Sequence, residues 1–314
     1  MGRKVGIVGA GAVGASAAYA LAMKGSCDEI VLFDIFPEVA IGKGIDIAQA
    51  STFAPSPTKV YGVKEAKDLS DCDIVVVTAG VPRKSDMTRA DLLNVNAKIV
   101  KDVTENIMKY SPNAIIICVS NPLDVMTYVM HKLTGWDRSR IVGMAGVLDG
   151  ARMRYQVSQK LGYGAGVTRT MVIGEHGQKM ISYMDASSVG GIALKELLDK
   201  KDLEDIAVKT RDGGAEIVSY LKTSAYYAPG SSIAYMVESI LDDSKTLLSA
   251  CALLDGEYGY KDQTLGVPVV LGRGGVEKIV EVDLDDEYSA KLKDAAASIK
   301  EGIDILKEEG FFNK

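Results

Sequence analysis

Histidine is scarce in this chain: 314 residues carry only 2, His131 and His176. Any chemistry that needs an imidazole near neutral pH is therefore confined to these two positions. Cysteine is scarce too. Cys27, Cys72, Cys118 and Cys251 lie far apart, with no C-x-x-C and no Cys/His cluster. That argues against a disulfide framework and against a zinc site, so no metal is expected and a reducing compartment is the default. There is no basic block, and 36 Lys plus Arg against 42 Asp plus Glu give a net charge of −6. A broad basic surface for nucleic acid is thereby excluded. Long apolar runs are missing as well: residues 114–119 fall far short of the roughly 20 a membrane helix needs. Charge is too sparse, and apolar content at 47% too high, for a disordered chain.

The N-terminus has the outline of a secretory leader, with Arg3 and Lys4 before an apolar stretch and Ala20-Leu21-Ala22 as a small-residue site. Gly6, Gly9, Gly11 and Gly14 fit poorly in such a helix, and Gly6 stands where a myristoylation signal needs Ser or Thr. A cytoplasmic protein is the expectation.

The first half alternates apolar runs with helical stretches. Strands are expected at residues 5–8, 30–33, 74–78 and 115–119. Helices are expected at residues 11–23, 39–50 (Pro37 at its start), 92–108 and 123–133. Continuous Val/Ile runs are what parallel strands buried on both faces look like, and the alternation predicts a doubly wound α/β sheet. The second half mixes helices (148–161, 194–220, 285–309) with strands (167–173, 267–271), an α+β pattern. The boundary falls near Gly146 without a linker, giving domains 1–145 and 146–314 with a cleft between them.

Gly9-x-Gly11-x-x-Gly14 follows one of these strands and opens a helix. The first Gly permits the tight turn, the second lets the backbone approach a pyrophosphate, and the third lets helix and strand pack closely. The helix N-terminus adds free N–H groups and the positive end of its dipole. Asp34 follows Gly14 by 20 residues, at the end of the next strand, where an acid accepts hydrogen bonds from ribose hydroxyls. A carboxylate there repels a 2′-phosphate, and Ile35 rather than Arg follows it, so NAD is favoured over NADP. The N-terminal half is thus expected to be a Rossmann domain.

Three further clusters concentrate polar residues. Arg83 and Arg89 lie in a loop past the end of a strand, where open α/β sheets bind ligands. Asp149 and Arg152 stand three apart on one helix face. His176 lies in Gly174-Glu175-His176-Gly177, flanked by glycines after a strand. Taken singly, each has a plain alternative: solvated loop charges, a surface i,i+3 pair, a satisfied structural histidine. Their coincidence beside a dinucleotide motif favours chemistry. His131, near a helix end, is expected to be structural, a cation complementing the helix dipole.

Together with Phe33-Asp34-Ile35, Thr78-Ala79-Gly80 and Ser120-Asn121-Pro122, these motifs resemble those of the lactate/malate dehydrogenase family, specifically its lactate-dehydrogenase-like malate dehydrogenases. The resemblance runs from Lys4 to about Phe311. It departs at Ser85-Asp86, where Pro-Gly is common, and at Gln178, where Asp is common. It implies NAD contacts from Gly9, Gly11, Ala12, Val13, Gly14, Asp34, Ile35, Thr78, Ala79, Gly80, Asn96, Val119 and Asn121. It also implies His176 as the general acid/base, Asp149 orienting it, Arg152 holding the substrate's C1 carboxylate, Arg89 polarising the C2 carbonyl, and Asn121 bonding near it.

The resemblance makes residues 81–92 a mobile lid in which Arg83 reads the group beyond C2. Lactate enzymes of the usual kind carry Gln there and malate enzymes Arg. A second carboxylate needs a cation in a closed site, whereas a buried Arg opposite a methyl would be unfavourable. Malate and oxaloacetate are therefore the expected substrates. A lactate or other 2-hydroxy-acid dehydrogenase is the alternative, and a non-catalytic NADH-binding protein lies further off. A homo-oligomer, dimer or tetramer, is expected, with no nucleic-acid or membrane partner.

Overall fold

The computed structural model describes residues 3–55, 58–81 and 87–312, and only the backbone of Arg89. In chain order the N-terminal half runs β1 (Lys4–Val8), α1 (Ala12–Lys24), β2 (Glu29–Phe33), α2 (Pro37–Ala50), β3 (Lys59–Val63), β4 (Ile74–Val77), α3 (Arg89–Tyr110), β5 (Ile115–Cys118), α4 (Leu123–Thr134) and β6 (Ile141–Gly143). The C-terminal half continues with α5 (Gly146–Leu161), β7 (Thr168–Arg169), β8 (Val172–Gly174), β9 (Met180–Ser182), β10 (Ser188–Val189), β11 (Ile192–Ala193), α6 (Leu194–Leu197), α7 (Lys200–Leu221), α8 (Tyr227–Leu241), β12 (Thr246–Asp255), β13 (Lys261–Gly272), β14 (Gly275–Ile279) and α9 (Asp286–Glu308).

Strands β3-β2-β1-β4-β5-β6 lie side by side and parallel, with Val5 opposite both Ile30 and Ile74. Every residue of β4 and β5 is buried, as strands covered by helices on both faces must be. Each such Val or Ile contributes about 1.5–3 kcal/mol relative to exposure. Strand order reverses at β1 and β4, the crevice where open α/β sheets bind ligands at the carboxyl ends of their strands. The sheet does not stop at β6. Gly143 pairs with Cys251 of β12, and β13, β8 and β9 extend it antiparallel. The first half is thus the expected Rossmann domain and the second is α/β with antiparallel strands.

The expected elements are present with shifted ends. Two are divided. The strand expected at 167–173 is the pair β7 and β8, interrupted at Thr170-Met171, and the helix expected at 194–220 breaks at Leu198-Asp199. Leu198 closes one helix and Asp199 caps the next, its Oδ1 accepting the N–H of Asp202 at 2.8 Å. Eight elements have no counterpart among the expected ones: β3, β6, β9, β10, β11, α8, β12 and β14. Helix α3 begins under a reciprocal capping box. Thr88 Oγ1 accepts the N–H of Asp91, and the Asp91 carboxylate accepts the N–H of Thr88 at 3.0 Å. Arg89 is therefore the first residue of a well-anchored helix.

Among the described residues no helix is long and apolar enough to cross a membrane, and no cluster of His, Cys, Asp or Glu is arranged to hold a metal ion. All four cysteines are free and buried.

Candidate active site

A cavity of about 570 Å³ opens over the carboxyl ends of β1, β4 and β5. One wall is the glycine-rich loop. Gly9 takes a positive φ of 99°, and a Cβ there would lie 2.5 Å from Thr78 Oγ1. At Gly14 a Cβ would lie 1.9 Å from the Gly9 carbonyl oxygen, so only glycine lets α1 start this close to β1. Thr78 straps the turn, its hydroxyl donating to the Gly9 carbonyl at 2.9 Å. Gly11 is the opposite case: a Cβ there would meet none of the described residues within 4 Å, so the backbone is open to a ligand. It caps α1 without a side-chain acceptor, and the first turn holds no acid, so the N-terminal N–H groups are available to an anion.

Asp34 does more than was expected of it. Oδ2 accepts the N–H of Ala10 at 2.7 Å and Oδ1 that of Phe36 at 3.0 Å, so the carboxylate buttresses the loop. About two of its roughly four acceptor positions remain for ribose hydroxyls. An open glycine backbone, a helix start without its own anion and a free-sided carboxylate fit NAD.

Thr78, Ala79, Gly80 and Val119 line the cavity together with Ala12 and Val13. Asn96, from α3, is almost wholly buried and clamps two loops together. Its Oδ1 accepts the N–H of Val81 at 2.8 Å, and its Nδ2 donates to the Asn121 carbonyl at 2.7 Å. Asn121 lines the cavity, and its bond to Pro122 is cis. Ile35, beside Asp34, is fully on the surface at 81% exposure.

The polar wall comes from α5 and the loop after β8. His176 Nδ1 lies 2.7 Å from Asp149 Oδ2, and Asp149 Oδ1 accepts from Arg152 Nη1 at 3.0 Å. One carboxylate, only 2% exposed, thus joins both side chains. With Nδ1 engaged, Nε2 is the ring nitrogen left for a substrate. The imidazole is 14% exposed. Burial opposes its charging and Arg152 adds to that, but the charge and hydrogen bond of Asp149, with the charge of Asp124, outweigh both and hold its pKa above the ordinary histidine value. Arg152 has spent one nitrogen on Asp149. Its Nε is buried without a partner among the described residues, and Nη2 lies where a Cβ on Gly214 would come within 3.1 Å.

The structure therefore brings together His176, Asp149, Arg152, Asn121 and the glycine-rich loop. Arg83 lies outside the described residues, as does the side chain of Arg89. Three features had not been read from the sequence. Gly213-Gly214 sits inside α7 beneath Arg152; a glycine pair in a helix interior is unfavourable and so marks close packing. Thr223, Ser224, Ala225 and Tyr226 form a further wall between α7 and α8. Asp124, from α4, accepts the backbone N–H of His176 at 2.8 Å.

Two family models match the chain: the lactate/malate dehydrogenase NAD binding domain over residues 3–143, and the lactate/malate dehydrogenase alpha/beta C-terminal domain over residues 146–309. A malate dehydrogenase of Sulfurimonas denitrificans is 50% identical over 314 residues, covering 100% of this chain and 98% of that protein. The solved malate dehydrogenase of Salinibacter ruber superimposes with a TM-score of 0.93 at 40% identity, covering 98% of this chain and 99% of that one. A lactate dehydrogenase of Cryptosporidium parvum, solved with lactic acid and nicotinamide adenine dinucleotide, gives a TM-score of 0.93 at 34% identity, with 98% of each chain covered.

Proposed function

The chain belongs to the lactate/malate dehydrogenase family, and from that premise we propose that it is an NAD-dependent malate dehydrogenase working through His176, Asp149 and Arg152. The observation that carries this assignment of residues is the Asp149 carboxylate, which holds His176 at 2.7 Å and Arg152 at 3.0 Å on a wall of the cavity shared with the glycine-rich loop.

The chemistry that NAD would supply when bound is exchange of a hydride with C2 of the substrate. The protein's part is binding and proton transfer. His176 Nε2 gives its proton to the C2 oxygen as oxaloacetate is reduced, and takes it back in the reverse direction. Asp149 fixes the tautomer and stabilises the imidazolium. Arg152 turns its remaining donors to the C1 carboxylate. Arg89, the first residue of α3, is assigned to the C2 oxygen, and Arg83 to the second carboxylate. Both assignments rest on the sequence.

Steady-state turnover with oxaloacetate and with pyruvate tests the substrate. A preference for oxaloacetate is expected, and Arg83→Gln should lower kcat/KM for oxaloacetate far more than for pyruvate. A wild-type preference for pyruvate would overturn the choice. A homodimer or homotetramer belongs to the same proposal. Its support is apolar surface on and beside α2: Val39, Ile45 and Phe53 are 42%, 55% and 88% exposed. Sedimentation tests the assembly; a monomer at micromolar concentration would refute it. The division at residues 145/146 and a cytoplasmic location complete the proposal, tested by limited proteolysis and by fractionation.

A further inference from the structure

We propose that Ser298, on the C-terminal helix α9, is a positioning residue for this reaction: through Glu175 it fixes the loop that carries His176, a role that rests on the assignment of His176 and deepens it. That loop is the short connection from β8 to β9, where Gly174 and Met180 face each other across the strand pair. Connections of this kind are more mobile than the strands they join. A proton donor, by contrast, has to be held within about 0.5 Å of its productive place.

Glu175 closes the loop on itself. Its carbonyl accepts the Gly177 N–H at 2.9 Å, and its Oε2 accepts the Lys179 N–H at 3.2 Å. The other carboxylate oxygen reaches out of the loop: Oε1 accepts the Ser298 hydroxyl at 3.0 Å. Asp124 and Asp149 hold His176 from α4 and α5. Ser298 holds the preceding residue from a third element.

Helix α9 has its own anchor two residues earlier. The Ala296 carbonyl accepts the buried Gln263 amide of β13 at 2.5 Å, and Gly266 of the same strand pairs with Gly174. Strand β13 thus holds both the root of the loop and the helix that clasps it. Small residues let α9 come this close. A Cβ on Gly174 would lie 3.3 Å from the Ala295 Cβ, and one on Gly302 would lie 2.9 Å from Val125 Cγ2 of α4. Ala295, Ser298 and Gly302 share one helix face by their spacing of three and four, and only Ser298 among them has a hydrogen-bonding side chain.

A hydroxyl donating to a carboxylate is a bond of the stronger, charge-assisted kind. Ser298 also lines a separate cavity of about 290 Å³ beside the starts of α3 and α4, with Thr88, Pro122 and Gly302. A methyl added at Ser298 has that space to enter. Thr and Val, both β-branched, therefore fit alike and differ only in the hydroxyl.

Single-turnover hydride transfer from NADH to oxaloacetate, read by stopped-flow on the full protein saturated with NADH, tests the role. Ser298→Thr should transfer near the wild-type rate. Ser298→Val should be slower by about fivefold, with the Kd for NADH unchanged. A residue that merely stabilised α9 would lower the melting temperature of the Val variant and leave the rate of the folded enzyme equal to that of the Thr variant. Equal rates would overturn the proposal, as would a rise in the Kd for NADH matching the loss of rate. Should the Val variant not fold, Ser298→Ala removes the hydroxyl without adding bulk; the same slowing is expected, and a wild-type rate would overturn the proposal. Failure of the His176 assignment is read separately, as turnover retained in His176→Asn with α9 untouched.

Discussion

His131, in the last turn of α4, and His176, on the cavity wall, are both withdrawn from water, at 4% and 14% exposure. Around His131 only the Ile141 backbone favours the charged ring, and Lys132 opposes protonation. Burial drives that imidazole down to about 4. It is neutral at pH 7, which corrects the expectation of a cation completing the dipole of α4; its structural role stands on packing instead. Around His176 two carboxylates reverse the effect of burial. Burial alone silences a histidine. Burial beside paired acids holds it ready to exchange a proton.

The sharpest way to break this comparison is to exchange the fates of the two residues. His176→Asn should lower kcat by about 10³–10⁴-fold with the Kd for NADH near wild type, read by stopped-flow and fluorescence titration. Retained turnover would remove His176 from the mechanism. Asp149→Asn leaves the ring in place with the wrong partner, and kcat should fall about 10³-fold; an equal loss of NADH binding would point to collapse of the cavity wall rather than to the proton.

His131 should be visible in stability instead. Its folded pKa, about 4, lies below the ordinary 6.5, so between these values the unfolded chain binds a proton that the folded chain refuses. Stability from this group therefore falls as pH drops from 6.5 to 4, by up to about 3 kcal/mol. Urea unfolding at pH 7 and pH 4.5 should show that slope in wild type and a shallower one in His131→Leu. The smallest effect belongs to Gly214→Ala. Alanine favours the helix by up to about 1 kcal/mol, yet its Cβ crowds Arg152 Nη2. The melting temperature should hold or rise while KM for oxaloacetate climbs about tenfold; an unchanged KM would show that the guanidinium has room to shift.

The parallel half of the fold was legible because strands buried on both faces write continuous Val/Ile runs, as at Ile74–Val77 and Ile115–Cys118. The missing elements lacked that signature. Strand β3 is broken by Gly62, β6 has only three residues, and β12 is built on Leu, Ala and Cys rather than on β-branched residues. In the site, residues with distinctive chemistry and glycine neighbours could be found: His176, Asp149 with Arg152, and the Gly9–Gly14 turn. Asp124 could not. An acid in the first turn of a helix reads as a dipole partner on the surface, and nothing local announces that β12 and β13 will bury it. The second use of Asp34, as a brace for Ala10, was equally hidden, because a partner 24 residues away is made only by folding.

The sheet that passes without interruption from β6 into β12 bears on how the cavity exchanges its contents. Enzymes whose lobes meet at a flexible joint admit ligands by swinging one lobe from the other. Here the floor beneath both ligand sites is a single hydrogen-bonded fabric, and hinged opening would tear it along Gly143 and Cys251. The spacing between the glycine-rich turn and His176 is thus tied to the pairing of Gly143 with Cys251. Substitutions in the wall at residues 223–226 are therefore expected to change NADH residence time, read by stopped-flow fluorescence, more than substitutions at the crossing between the two halves.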